Sequence, residues 1–243
     1  MDLYFGVIWR SLPEFLKGAA QTLYVSSLAM GGGFLIGLVG ALARRSRFSI
    51  FRGLGTLYVN LFRNTPLLVQ AYLIYFGLPS FGLNLDSFTS SVLALTINNG
   101  GYMTEIIRGG MNAIHKNEVD AAIALGMTYL QSLRYVIIPH IFRVVYPPMV
   151  SQFVLLILGS SVLALIGLEE LTFKARMVEA YTFRAFEVYL SVMVMYVVLT
   201  VMTTVLLRVI GWRALRGTQV RRANVVLGMR RLLRHVGKSF YIS

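Results

Sequence analysis

Cysteine is absent from the 243 residues, histidine occurs three times, and aspartate and glutamate together number ten. Without cysteine there is no disulfide scaffold, no thiolate metal site and no cysteine nucleophile. His115, His140 and His235 are scattered without metal-ligand spacing, so no metal site is expected. Charged residues make up 14% of the chain, too few for the wetted exterior of a soluble domain of this length. Against these scarcities stand 56% hydrophobic residues and a net charge of +13. The composition is that of a polytopic membrane protein. The opening "MDLYFGVIWRSLPEF" carries Asp2 early and no basic n-region, so no cleavable signal is expected.

A membrane span needs about 20 mainly apolar residues to cross roughly 30 Å of hydrocarbon. Five segments qualify, from about Ala19 to Ala43, Leu57 to Leu78, Ser90 to Ile107, Tyr146 to Leu168 and Val188 to Ile210. All are expected to be helices, because lipid cannot satisfy free backbone groups. Basic residues collect on cytoplasmic sides. Arg44, Arg45, Arg47 and Arg52 follow the first segment, and Arg108, Lys116, Arg134 and Arg143 follow the third. Eight basic residues between Arg213 and Lys238 follow the fifth, whereas "PSFGLNLD" after the second has none. The expected class is therefore an all-α polytopic membrane protein with five transmembrane helices, its N-terminus outside and its C-terminus in the cytoplasm. It divides into an extracytoplasmic segment (1–18), a transmembrane domain (19–212) and a basic cytoplasmic tail (213–243).

One stretch, "EVDAAIALGMTYLQSLRYVIIPH" (Glu118 to His140), is polar and helix-favouring between apolar neighbours. The orientation above puts it in the cytoplasm. Ala121, Ala122 and Leu125 form a small apolar face, and Gly126 can take a backbone conformation closed to other residues. Pro139 is expected to interrupt the helix that follows. Asp120-Ala121-Ala122, Gly126, Val136 and Ile138-Pro139 resemble, in order and spacing, the Glu-Ala-Ala motif of ATP-binding-cassette (ABC) importer permeases. "FRNTPLLVQ" (Phe62 to Gln70), "NNGGYMTEIIRGG" (Asn98 to Gly110), "PHIFRVVYPP" (Pro139 to Pro148) and "IGLEEL" (Ile166 to Leu171) are similar to the polar amino-acid permeases of that superfamily. The similarity runs from about Gly18 to Gly211.

The resemblance implies the type I ABC importer permease fold and a coupling helix within about 115–139. Glu118, Asp120, Ala121, Ala122, Leu125, Gly126 and Pro139 would be its working residues, seated on a cytoplasmic ATPase. It further implies a second permease subunit, identical or homologous, an extracytoplasmic amino-acid-binding protein, and location in a bacterial inner membrane. ATP and Mg would be bound by the ATPase and no cofactor by this chain. "GKS" at Gly237 to Ser239 lacks the earlier glycine of a phosphate loop, having Leu232 there, and "GGG" at Gly31 to Gly33 lacks the dinucleotide fingerprint. A stand-alone channel or receptor component is the alternative class. A membrane enzyme is disfavoured by the lack of a clustered constellation of reactive groups. No nucleic-acid partner is expected.

Within the membrane, polar and ionisable groups are functional candidates. Gln70, Asn98, Asn99, Gly159, Ser160 and Ser161 can offer neutral donors and acceptors to an amino-acid zwitterion; the alternative is hydrogen bonding between helices. The related permeases commonly have Lys-Asp-Thr-Ser where this chain has Leu158-Gly159-Ser160-Ser161, so those charges are missing here. Arg63, just inside the cytoplasmic boundary of the second span, and Glu105 and Arg108, at the cytoplasmic end of the third, are candidates for a cytoplasmic gate. Arg63 and Glu105 are expected to pair across antiparallel spans, the alternative being snorkelling to headgroups. Ala29, Gly33, Gly37 and Ala41, each four apart, predict close helix packing. In the tail, Val225, Met229, Leu232 and Val236 recur at helical spacing among arginines. That pattern suits an anionic membrane surface or a disordered basic extension.

Overall fold

A computed structural model describes residues 5–114 and 116–239, with the side chains of 116, 117, 119 and 214–239 outside the description. Among the described residues there is no strand. The helices are α1 (Gly6–Arg44), α2 (Ser49–Arg63), α3 (Leu67–Tyr72), α4 (Ser87–Asn112), α5 (Lys116–Ala124), α6 (Tyr129–Ser132), α7 (Ile138–Ser160), α8 (Leu171–Thr182) and α9 (Ala185–Ser239). The backbone of the basic tail thus continues α9 as far as Ser239, while His235 and the tail arginines beyond Arg213 lie outside the described side chains.

Among the described residues, three stretches are long and apolar enough to cross a membrane: Gly6–Arg44, Tyr129–Ile166 and Ala185–Arg213. The other two expected spans differ. Leu57 to Leu78 is broken at Asn64–Pro66, where α2 ends and α3 begins. Pro66 sits extended before α3, having neither the N–H nor the preceding-residue freedom that a continuous helix needs. From α3 the chain runs on through a π turn (Leu73–Gly77) and a 3₁₀ turn (Leu78–Phe81). Ser90 to Ile107 lies inside α4, whose central Asn-Asn-Gly-Gly dilutes its apolar character. The first span does not start at Ala19 but runs unbroken from Gly6, with Pro13 in its second turn.

The most extensive contact joins α1 to α4. The ridge Ala29, Gly33, Gly37 and Ala41 is its seam. Ala29 and Ala41 are fully buried, and a Cβ at Gly37 would lie 2.8 Å from the Met103 carbonyl carbon and 2.9 Å from the Thr104 nitrogen. Absent side chains let the two backbones meet. Beside the seam lie two apolar clusters. One gathers Val25, Ala71, Leu95 and Leu156 from α1, α3, α4 and α7 with Leu168 from the loop before α8; the other joins Phe15 of α1 to Leu171, Val178, Val188 and Val192 of α8 and α9.

Candidate functional site

The polar segment forms α5 and stops where the sequence predicts. Gly126 has φ +79°, the left-handed conformation, and closes the helix with two hydrogen bonds: its own N–H to the Ile123 carbonyl (2.9 Å) and the Met127 N–H to the Ala122 carbonyl (3.1 Å). Thr128 then caps α6 reciprocally with Gln131. The apolar face is not the expected one. Ala122 is buried at 4% exposure, whereas Ala121 faces outward with Leu125 at 79%. Leu125, Tyr129 and Leu130 make an exposed apolar shelf around the turn, and Asp120 is exposed beside it. Glu118 points back into the protein, its carboxylate 3.2 Å from His140 Nδ1 at the base of α7. Pro139 does not break its helix. It enters the first turn of α7 directly after a π turn (Leu133–Ile137).

The six neutral residues expected along a pathway divide into two sets. Gln70 is buried, and its amide nitrogen donates to the Phe62 carbonyl (2.9 Å), the Thr65 carbonyl (3.2 Å) and Thr65 Oγ1 (2.7 Å). Asn98 Nδ2 donates to the same Phe62 carbonyl (3.1 Å) and to Gln70 Oε1 (3.3 Å). Together they satisfy backbone groups freed where α2 breaks, which is the interhelical role rather than one facing a ligand. Asn99 is fully buried against α1, donating to the Ala29 carbonyl (3.2 Å). Ser160 is fully buried and donates to the Ile157 carbonyl (2.8 Å). Asn98, Gly159 and Ser161 are partly exposed, Gly159 opposite Leu67 of α3.

The expected Arg63–Glu105 pair is not formed. Glu105 Oε1 is held by Arg44, from the end of α1, and Oε2 by Arg108 (2.6 Å). Arg44 reaches Glu105 because the glycine seam brings α1 against α4, and depth along α2 and α4 alone gives no warning of that competitor. Arg63 lays its stem on Gly101 and its guanidinium over the Tyr102 ring, 5.1 Å from the centroid.

The roles of two features went unread in the sequence. "NNGGY" is a complete cradle for the α2–α3 break. Asn98 takes the Phe62 carbonyl, Asn99 faces α1, Gly100 makes room for Tyr58, Gly101 for the Arg63 stem, and Tyr102 for its head. Glu170 is fully buried and ties three helices. It accepts from the Phe173 N–H (2.9 Å) as the cap of α8, from Tyr196 Oη of α9 (2.6 Å) and from Thr22 Oγ1 of α1 (3.4 Å). Only the doubled glutamate of "IGLEEL" hinted at it. Among the described residues no group of three or more His, Asp or Glu is placed to hold a metal.

Residues 33–215 match the family described as binding-protein-dependent transport system inner membrane component. The chain is 36% identical over 210 residues to the glutamine transport system permease protein GlnP of Escherichia coli (strain K12), covering 86% of this chain and 96% of that protein. It is 35% identical over 195 residues to the probable glutamine ABC transporter permease protein GlnM of Bacillus subtilis (strain 168), covering 80% and 90%. Among solved structures, an amino acid ABC transporter crystallised with histidines superposes with a TM-score of 0.80 at 36% identity, covering 88% of this chain and all (100%) of that one. The MetNI methionine ABC transporter in an inward-facing conformation shares the fold, with a TM-score of 0.67 at 20% identity.

Proposed function

The chain belongs to the binding-protein-dependent transport system inner membrane component family, and from that membership we propose that it is the membrane-spanning subunit of a bacterial importer for polar amino acids. Glutamine is the first cargo to test, because the GlnP and GlnM relatives are described as glutamine permeases. In this reading two permease subunits, identical or homologous, enclose the pathway in the cytoplasmic membrane, with the N-terminus outside and the basic tail inside. A binding protein delivers cargo from outside. ATP and Mg are bound by separate cytoplasmic ATPase subunits, and this chain performs no hydrolysis.

The observation that carries the reading is the α5 turn. Glycine stands at the family-motif position, in the one backbone conformation there that disfavours a side chain, and an exposed apolar shelf is presented beside it. Such a shelf is suited to a groove on a soluble partner rather than to lipid. Nucleotide-driven closure of the ATPases would push α5, and α7 would carry the displacement into the bundle as a rigid body. The experiment is ATP-dependent uptake of labelled L-glutamine into liposomes holding the chain with its ATPase and binding protein. Gly126→Asp forces a side chain into the left-handed region at an exposed site with no neighbour within 4 Å, so membrane insertion is expected to persist while uptake and ATPase association fail. Normal uptake by that variant would defeat the assignment.

A further inference from the structure

Two guanidinium groups, Arg44 and Arg108, hold one carboxylate, Glu105. Both oxygens of Glu105 are taken by Arg44 and Arg108, and the positive charges of Arg108 and Arg63 both act on Arg44. Among the described residues Arg63 has no anionic partner, and it is exposed. Its head is nevertheless fixed in place, the stem on Gly101 and the guanidinium over Tyr102. Stacking of this kind holds the planar fork while leaving its N–H edge available for a bidentate carboxylate.

Depth decides what can reach it. By helix rise, Gly101 lies about 21 Å from the Ser87 end of α4 and about 17 Å from the Asn112 end. Arg63 therefore meets α4 near the middle of that helix, about 9 Å inside the Ile107 end of the expected span and deeper than the cytoplasmic boundary where the sequence alone places it. A charge at that depth facing hydrocarbon is costly. Asn60 and Asn64 are exposed on the same edge of α2 and its end, which makes that edge polar. Such an edge suits a water-filled path.

Resting on the importer reading above, we propose that Arg63, steadied by Tyr102, is the site in this subunit that receives the α-carboxylate of the amino acid in transit. The carboxylate is common to every amino-acid cargo, so Arg63 sets the requirement for an amino acid and leaves the choice among side chains to other residues.

The test uses the assembled complex in liposomes with saturating glutamine-loaded binding protein. Arg63→Gln is expected to cut glutamine uptake at least tenfold while the complex still assembles. Arg63→Lys, which keeps a charge but not the fork, is expected to fall between. Because the chain has no cysteine, Asn60→Cys supplies a unique thiol for an anionic methanethiosulfonate reagent. Glutamine-loaded binding protein is expected to slow labelling at least threefold when Arg63 is present and not when it is Gln. Wild-type uptake with undiminished uptake by Arg63→Gln overturns the carboxylate site and leaves the importer reading standing. Unslowed labelling with Arg63 intact overturns the site even if Arg63→Gln does not assemble. A wild-type complex that takes up no amino acid overturns both.

Discussion

The α1–α4 seam yields a prediction that can be sized from distances. Replacing Gly37 by alanine places a methyl group 2.8 Å from the Met103 carbonyl carbon and 2.9 Å from the Thr104 nitrogen, both backbone atoms of a continuous helix. Neither can swing aside as a side chain would. Ordinary contact starts at 3.4 Å, so the helices must part by roughly 0.6 Å or more. A gap of about 0.5–1 Å forfeits a quarter to a half of each dispersion contact, themselves worth about 0.1–0.2 kcal/mol. Spread over some tens of atom pairs along the seam, the loss is about 1–3 kcal/mol, the usual cost of overpacking. Gly31 is the internal control, since a Cβ there meets nothing within 4 Å. Both substitutions gain the same ~1 kcal/mol of helix propensity, so their difference isolates the clash. Thermal unfolding in detergent, followed by loss of the monodisperse peak on size-exclusion chromatography, is expected to show Gly31→Ala at or above the wild type. Gly37→Ala is expected to lie several degrees below it. Equal melting of the two variants would refute close backbone contact as the basis of the seam.

Burial pushes the Glu170 carboxyl above its ordinary value of 4.5, against the opposing pull of hydrogen bonds from Tyr196, the α8 backbone and Thr22. The folded chain therefore keeps this proton to higher pH than the unfolded chain. The stability it contributes is complete below pH 4.5 and is lost as pH rises through the raised value. Glu170→Gln stays neutral throughout, so the difference in melting temperature between variant and wild type is expected to move in favour of the variant from pH 4.5 to 8; a difference that stays flat contradicts the argument. Gln70→Leu keeps the volume but leaves the Thr65 carbonyl without its side-chain donor and the Phe62 carbonyl with Asn98 alone, a loss of about 1–3 kcal/mol visible as a lower melting temperature. Hydrogen exchange at 62–72 should rise in the same variant, and unchanged protection there would show that the break needs no such support.

Much of the architecture could be read from hydropathy and glycine placement. The seam residues were legible because four small side chains at helical spacing have one physical use in a long apolar helix. Gly126 was legible because an Ala-rich helix ending on glycine needs a left-handed closing residue. The break at Asn64–Pro66 was spelled out locally by Asn-Thr-Pro, yet window-averaged hydropathy carried the expected span straight through it. Asn98 and Asn99 looked equivalent in sequence. Adjacent helical residues point about 100° apart, so one meets α2 and α3 and the other meets α1. The partner of Glu105 was misread for a related reason: antiparallel depth brings Arg63 near, but the tight α1–α4 approach brings Arg44 nearer. Glu170 carried no periodic signal at all, since its partners lie 148 and 26 residues away in the chain.

The helical rod from Tyr129 to Ile166 has no slack. It passes without a loop from the capped turn beside Gly126 through a π turn and three prolines to its far end, 38 residues in all. A rod of that kind is a crankshaft as well as a strut. In the importer reading, a push on its foot from α5 reaches Gly159 and Ser161, some 45 Å away by helix rise, through one continuous helix whose π turn and prolines set where it can flex.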